Sequence, residues 1–170
     1  MDFARIALGL ALCAMGSCLI APVDAWSHGE RTQEPFLRMR TILFYDVRWD
    51  KEKIGVGEEA TVKGRFHVFK EWPTAVALPD TAYLHILAPG PQVVKVSSTL
   101  NGVSMVNSTS LELGRDYEFT IVVAGRRPGE YHLHPMVNVE DGGPIAGPGI
   151  LMTVEGDYAE FTHVITTLTG

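Results

Sequence analysis

From His28 onward, apolar and polar residues alternate with the two-residue period of strands, and no window of helical length keeps a 3.6-residue period without a Pro or Gly inside it. The pattern predicts strands over Thr41–Trp49, Ala60–Phe69, Ala82–Leu87, Val93–Ser97, Tyr117–Val123, Tyr131–Val139 and Ile150–Val154. In the second of these, Val62, Phe66 and Val68 are separated by Lys63, Arg65 and His67, as expected where one face is buried and the other wet. Turn signals separate the runs: Gly55-Val56-Gly57, Pro79-Asp80, Pro89-Gly90-Pro91, Asn101-Gly102, Pro128-Gly129, Gly142-Gly143-Pro144 and Gly147-Pro148-Gly149. Short strands at this spacing predict an all-β fold, an antiparallel β-sandwich or barrel. Phe161–Gly170 is apolar and Thr-rich, and reads either as a last strand or as the start of something that continues in a longer parent chain.

Residues 1–27 follow a different rule. Arg5 precedes an uncharged stretch from Ile6 to Ala21, which is shorter than the roughly 20 residues of a membrane-spanning helix and is followed by small and polar residues. This is the pattern of a cleaved secretory signal, leaving residues 28–170 as the exported domain. Two cleavage points satisfy the small-residue rule, one leaving Trp26 first and one leaving His28 first. Met15-Gly16-Ser17 is a poor match for lipid attachment at Cys18. Both cysteines, Cys13 and Cys18, lie in this segment, so the exported domain has neither a disulfide nor a thiolate ligand.

Composition narrows the function. With 170 residues, 46% hydrophobic and 20% charged, the chain has room for one packed domain. Fourteen Lys+Arg against twenty Asp+Glu give a formal charge of -6, which argues against nucleic acid as a partner. The chain carries no nucleophile motif and no acidic cluster suited to calcium. Gly142–Gly149 (GGPIAGPG) resembles a phosphate loop in composition only, since no Lys-Ser/Thr ending or helix follows it.

The candidate chemistry is carried by histidine. His132 and His134 flank Leu133, and in a strand they project from the same face about 6.5 Å apart, while Leu133 turns toward the core. Two solvated residues on an outer strand face would show the same spacing, so the pair is a weak motif by itself. Pro128-Gly129 upstream marks a strand start and suggests that the pair lies near a sheet rim. His28 strengthens the case. If cleavage follows Ser27, the new terminus offers an amine and an imidazole nitrogen to one ion. With His132 and His134 this makes an all-nitrogen set suited to copper, with zinc as the runner-up. Glu30 is a candidate orienting carboxylate or a solvated charge. His67 and His85, each alone in its strand, read as hydrogen-bonded structural residues, and His163 has no partner nearby in sequence.

The blocks HGERTQEPFLRMRT (28–41), GRFHVFKEWP (64–73), RRPGEYHLHPMVNV (126–139), GGPIAGPG and TVEG (153–156) resemble the B subunit of the copper membrane monooxygenases. That family includes particulate methane monooxygenase, ammonia monooxygenase and short-alkane oxidisers. The resemblance implies an N-terminal cupredoxin-like domain and a copper site at His28, His132 and His134, with cleavage after Ser27. It further implies a fragment of a longer subunit that continues into membrane helices, faces the periplasm and assembles with A and C subunits as a trimer of heterotrimers. The expected activity is oxidation of methane, ammonia or a short alkane with O2; the first block and GRDYEF (114–119) lean toward the ammonia oxidisers. Members with a further mononuclear copper site have histidine where this chain has Leu43, paired with the counterpart of His67, so the resemblance gives His67 no metal role here. An exported copper carrier without turnover and an Ig-like assembly module are the alternatives.

Overall fold

In the computed structural model of the protein, which describes residues 41–157, the alternation resolves into strands numbered in chain order. They are β1 (Ile42–Trp49), β2 (Lys53–Gly55), β3 (Glu59–Val68), β4 (Ala82–Leu87), β5 (Val93–Leu100), β6 (Val103–Ser104), β7 (Asp116–Gly125), β8 (Gly129–Val139), β9 (Gly143–Ala146) and β10 (Ile150–Glu155). One sheet has the order β1-β3-β7-β5-β6. The other runs β2-β10-β8-β4, with β9 also paired to β8. All seven predicted strands are present. Three short ones, β2, β6 and β9, were hidden in stretches that read as turns or were too brief to show a period. Pairing among the strands is antiparallel except between β2 and β10, which run parallel over three residues, and an isolated bridge between Val56 and Gly125 is parallel too.

The hydrophobic alternation explains how the sheets meet. β3 buries Ala60, Val62, Phe66 and Val68 while Glu59, Lys63 and Arg65 stay exposed. From the facing sheet, Leu133, Val137, Val139, Met152 and Val154 enter the same core. Aromatic rings fill its middle, with Phe44 and Phe66 at 5.5 Å between centroids and Phe44 edge-on to Phe119 at 5.7 Å. A Cβ on Gly64 would stand 3.0 Å from the Phe119 ring, so glycine lets the backbone of β3 come close to it.

A bulge between Tyr45 and Arg48 shifts the register of β1 against β3, with Asp46 at φ 53°. Beyond it the parity changes, so that Val47 and Trp49 pack on the core. The β5–β6 hairpin turns on Asn101 and Gly102, both at positive φ, a pairing suited to a two-residue turn with the twist of the flanking strands. At the edge of the second sheet, the Lys95 ammonium donates to the Leu84 carbonyl of β4 at 2.9 Å. Burial lowers the Lys95 pKa from its ordinary value.

Truncating Phe119 would empty the middle of the aromatic cluster. Phe119→Ala is expected to destabilise the fold by about 3–5 kcal/mol, read as a lower midpoint in urea unfolding with an unchanged slope.

Candidate metal centre

β8 is the longest of the described strands and carries His132 and His134 at its fourth and sixth positions. The pair therefore lies mid-strand rather than at the rim that Pro128-Gly129 suggested. What makes the place special is a change of neighbour. β10 pairs with β8 along Gly129–Leu133, β9 takes over along Met136–Val139, and the β9–β10 connection passes the gap between them. Across the opposite edge, Leu87 of β4 stands beside His134.

The structure brings the two imidazoles together, with ring centroids 4.4 Å apart and planes inclined by 58°. Leu133 is fully buried on the core side, as strand parity requires. The alternative of two solvated residues on an outer strand face does not describe His134, which is only 4% exposed. The reason is the Gly142–Gly149 stretch. It forms β9, buries Ile145 in the core, and then lays its backbone over the ring.

The His134 Nδ1 lies 2.8 Å from the Gly147 carbonyl oxygen, an acceptor only, so this nitrogen carries the proton and donates it. The ring's Nε2 then keeps its lone pair. A Cβ on Gly149 would fall 2.6 Å from Cε1 and 2.8 Å from each ring nitrogen, and one on Gly147 would strike the Phe44 ring at 2.7 Å. Two glycines thus let the loop fit between an imidazole and the aromatic core. The Gly-x-Gly spacing was visible in the sequence, but its use depends on which strand the loop crosses.

His132 is half-buried opposite Leu151, which is 58% exposed. Rings this close can direct one nitrogen each at an ion held at about 2 Å. Hydrogen bonding of the far nitrogen to a carbonyl is the usual way such a ligand is oriented. Among the described residues, no group of three or more His, Cys, Asp and Glu surrounds a metal position. Two nitrogens alone make an incomplete site. His28, Glu30, His163 and the cysteines, like the predicted signal segment and the terminal Thr-rich stretch, lie outside the described residues.

The other histidines go elsewhere. The His85 Nδ1 sits 2.8 Å from its neighbour's amide nitrogen and 3.0 Å from the same residue's carbonyl oxygen, a local backbone contact of the kind expected. His67 is on β3, in the opposite sheet, directly across from exposed Leu43 on one side and Asp116 on the other. Its Nδ1 lies 3.1 Å from Asp116 Oδ1, which also accepts from the Tyr45 hydroxyl at 2.9 Å. A hollow of about 810 Å³ opens on that sheet as well. Its lining mixes Arg48, Lys63 and Arg65 with Asp46, Asp50 and Glu118 and includes no imidazole.

The two packed, mainly antiparallel sheets make a cupredoxin-like domain. The solved cupredoxin domain of amoB from Nitrosocaldus yellowstonii has this fold: TM-score 0.56, covering 71% of this chain and 91% of that one at 16% identity. Residues 29–170 match the family of monooxygenase B subunit proteins, and the chain belongs to that family. It is 46% identical over 164 residues to the particulate methane monooxygenase alpha subunit of Methylococcus capsulatus (strain Bath), spanning 96% of this chain and 39% of that relative's length.

Gly149→Ala is expected to push the His134 ring away from the Gly147 carbonyl. Long-range 15N NMR should show a single Nδ1–H tautomer in the parent and a tautomer mixture in the variant. In the opposite sheet, the Tyr45 hydroxyl and then His67 hold the Asp116 carboxyl below the usual carboxylate range. Stabilisation from a depressed pKa is present at neutral pH and disappears as pH falls from about 4 through the folded-state value. Thermal midpoints of the parent and Asp116→Asn should therefore differ at pH 7 and converge in acid.

Proposed function

We propose that this chain is the N-terminal, copper-holding part of the B subunit of a membrane-bound monooxygenase that oxidises methane, ammonia or a short alkane with O2. The observation that carries the reading is the His132–His134 pair, 4.4 Å between ring centroids, with the His134 Nδ1 proton committed to Gly147. The residues fit the group: two imidazoles side by side, one with Nδ1 donating to a carbonyl so that Nε2 keeps its lone pair, are nitrogen ligands of the kind that suit copper(II). Cleavage after Ser27 would make His28 the first residue, so that its amine and ring complete the set with His132 and His134. Copper held in this way would supply one-electron chemistry toward O2.

The chain's own residues supply geometry. Leu133, locked in the core, fixes the pitch of β8 and hence the direction of both rings. The Gly147 carbonyl holds the proton on Nδ1 of His134 and keeps Nε2 available as a donor. Gly149 blocks rotation of that ring by lying on its face. Family membership supports a setting on the periplasmic side of a membrane, with residues 1–27 as the export signal and A and C subunits as partners in a trimer of heterotrimers.

The test is copper(II) titration of protein beginning at His28 and of protein with one extra residue ahead of it. Tight binding should weaken at least tenfold when the amine is blocked, and nitrogen hyperfine coupling in the EPR spectrum should simplify. His132→Ala and His134→Ala should each reduce affinity by a similar or larger factor. Equal affinity in all four proteins would defeat the reading.

A further inference from the structure

The outer face of the first sheet carries a group of cations that the copper chemistry does not use. Tyr45 of β1 stands opposite Arg65 of β3 and Arg48 opposite Lys63, so three steps along β1 match two along β3. Without the extra residue, Val47 would face Lys63 and Arg48 would turn toward the core. The bulge therefore sets Arg48 outward, directly across from Lys63, with Arg65 two residues along the same strand face. Directly opposed residues have Cβ atoms about 4.5–5.5 Å apart, and like charges so placed destabilise a sheet. The bulge itself holds Asp46 at φ 53°, left-handed backbone that few residues with a side chain adopt. It also needs Gly64, where a Cβ would stand 3.0 Å from the Val47 Cα. Backbone strain and charge repulsion coincide here, as they do at sites kept for binding.

All three cations are exposed and line one hollow of about 810 Å³, a volume usual for a small-molecule site. Among the described residues, none of the three makes an ion pair. The carboxylates on the same wall do not neutralise them. Asp50 accepts the Thr61 amide at 2.7 Å, and Glu118 stands across from Arg65 without bonding it. The indole nitrogen of Trp49, on the same wall, is buried without a hydrogen-bond partner. We infer that this hollow binds a phosphate group, held by Arg48, Lys63 and Arg65. A carboxylate has two oxygens and satisfies one guanidinium fork, whereas a phosphate has oxygens and charge for two forks and an ammonium. Its bearer is a small soluble molecule or a lipid headgroup. The site lies in the sheet opposite to the histidine pair and owes nothing to copper.

Pyrophosphate, titrated into the whole chain without metal, tests the soluble form. It should shift the side-chain NMR signals of Arg48, Lys63 and Arg65 together and saturate at one equivalent. Lys63→Thr and Arg48→Thr, which keep a residue suited to strands, should each weaken binding at least tenfold. Glu118→Gln should strengthen it at least twofold by removing a repelling charge. Lys53→Ala, in the other sheet and ion-paired with Glu155, should leave it at the parent value. Without ligand, Lys63→Thr should raise the thermal midpoint, because the opposed like charge is gone. Sedimentation with phosphatidylcholine vesicles containing phosphatidic acid, lost in Lys63→Thr, would identify a headgroup; Lys63-dependent binding of pyrophosphate alone would identify a soluble ligand. Binding of neither probe, or equal affinity in parent and Lys63→Thr, would overturn the site.

Discussion

The hydrogen bond from the His134 ring to the Gly147 carbonyl organises the centre of this molecule. An imidazole that is only 4% exposed needs a partner for its N–H, because a buried donor without one is costly to the fold. The loop supplies that partner and simultaneously fixes which nitrogen keeps its lone pair. Local stability and ligand chemistry are thus served by the same contact. The loop can come this near because positions 147 and 149 carry no side chain, with a benzyl ring on one flank and the imidazole on the other.

The sandwich makes the arrangement possible. A central strand normally has a continuous neighbour on each edge. Along β8, one edge is shared in succession by β10 and β9, and the connection between them crosses the break. His134 is placed where the sheet is interrupted, while His132 is still paired with Leu151 of β10. Leu133, between them, is fully buried and anchors the pair to the hydrophobic core.

Much of this was legible in the sequence. Strict alternation in Ala60–Phe69 and Tyr131–Val139 announced β3 and β8, because a one-residue slip would have buried Lys63 or exposed Leu133. The nearness of His132 and His134 followed from strand parity alone. The depth of His134 did not, since it depends on a loop more than a dozen residues away whose glycines read as turn punctuation. β9 was missed for a related reason: Gly143-Pro144 looks like a turn, and only the single buried Ile145 shows that the segment belongs to the sheet. The rim placement failed because a strand start was visible while the strand's length was not.

Lys95 bears on how the domain meets other molecules. An unpaired carbonyl on a border strand invites a foreign strand to add itself to the sheet, and the ammonium on the Leu84 oxygen fills that vacancy. The bond, 2.9 Å long, ties the ammonium of one sheet to the border strand of the other. At this point of the border a backbone acceptor is already taken from within the domain, which leaves an added strand one hydrogen bond fewer to make there.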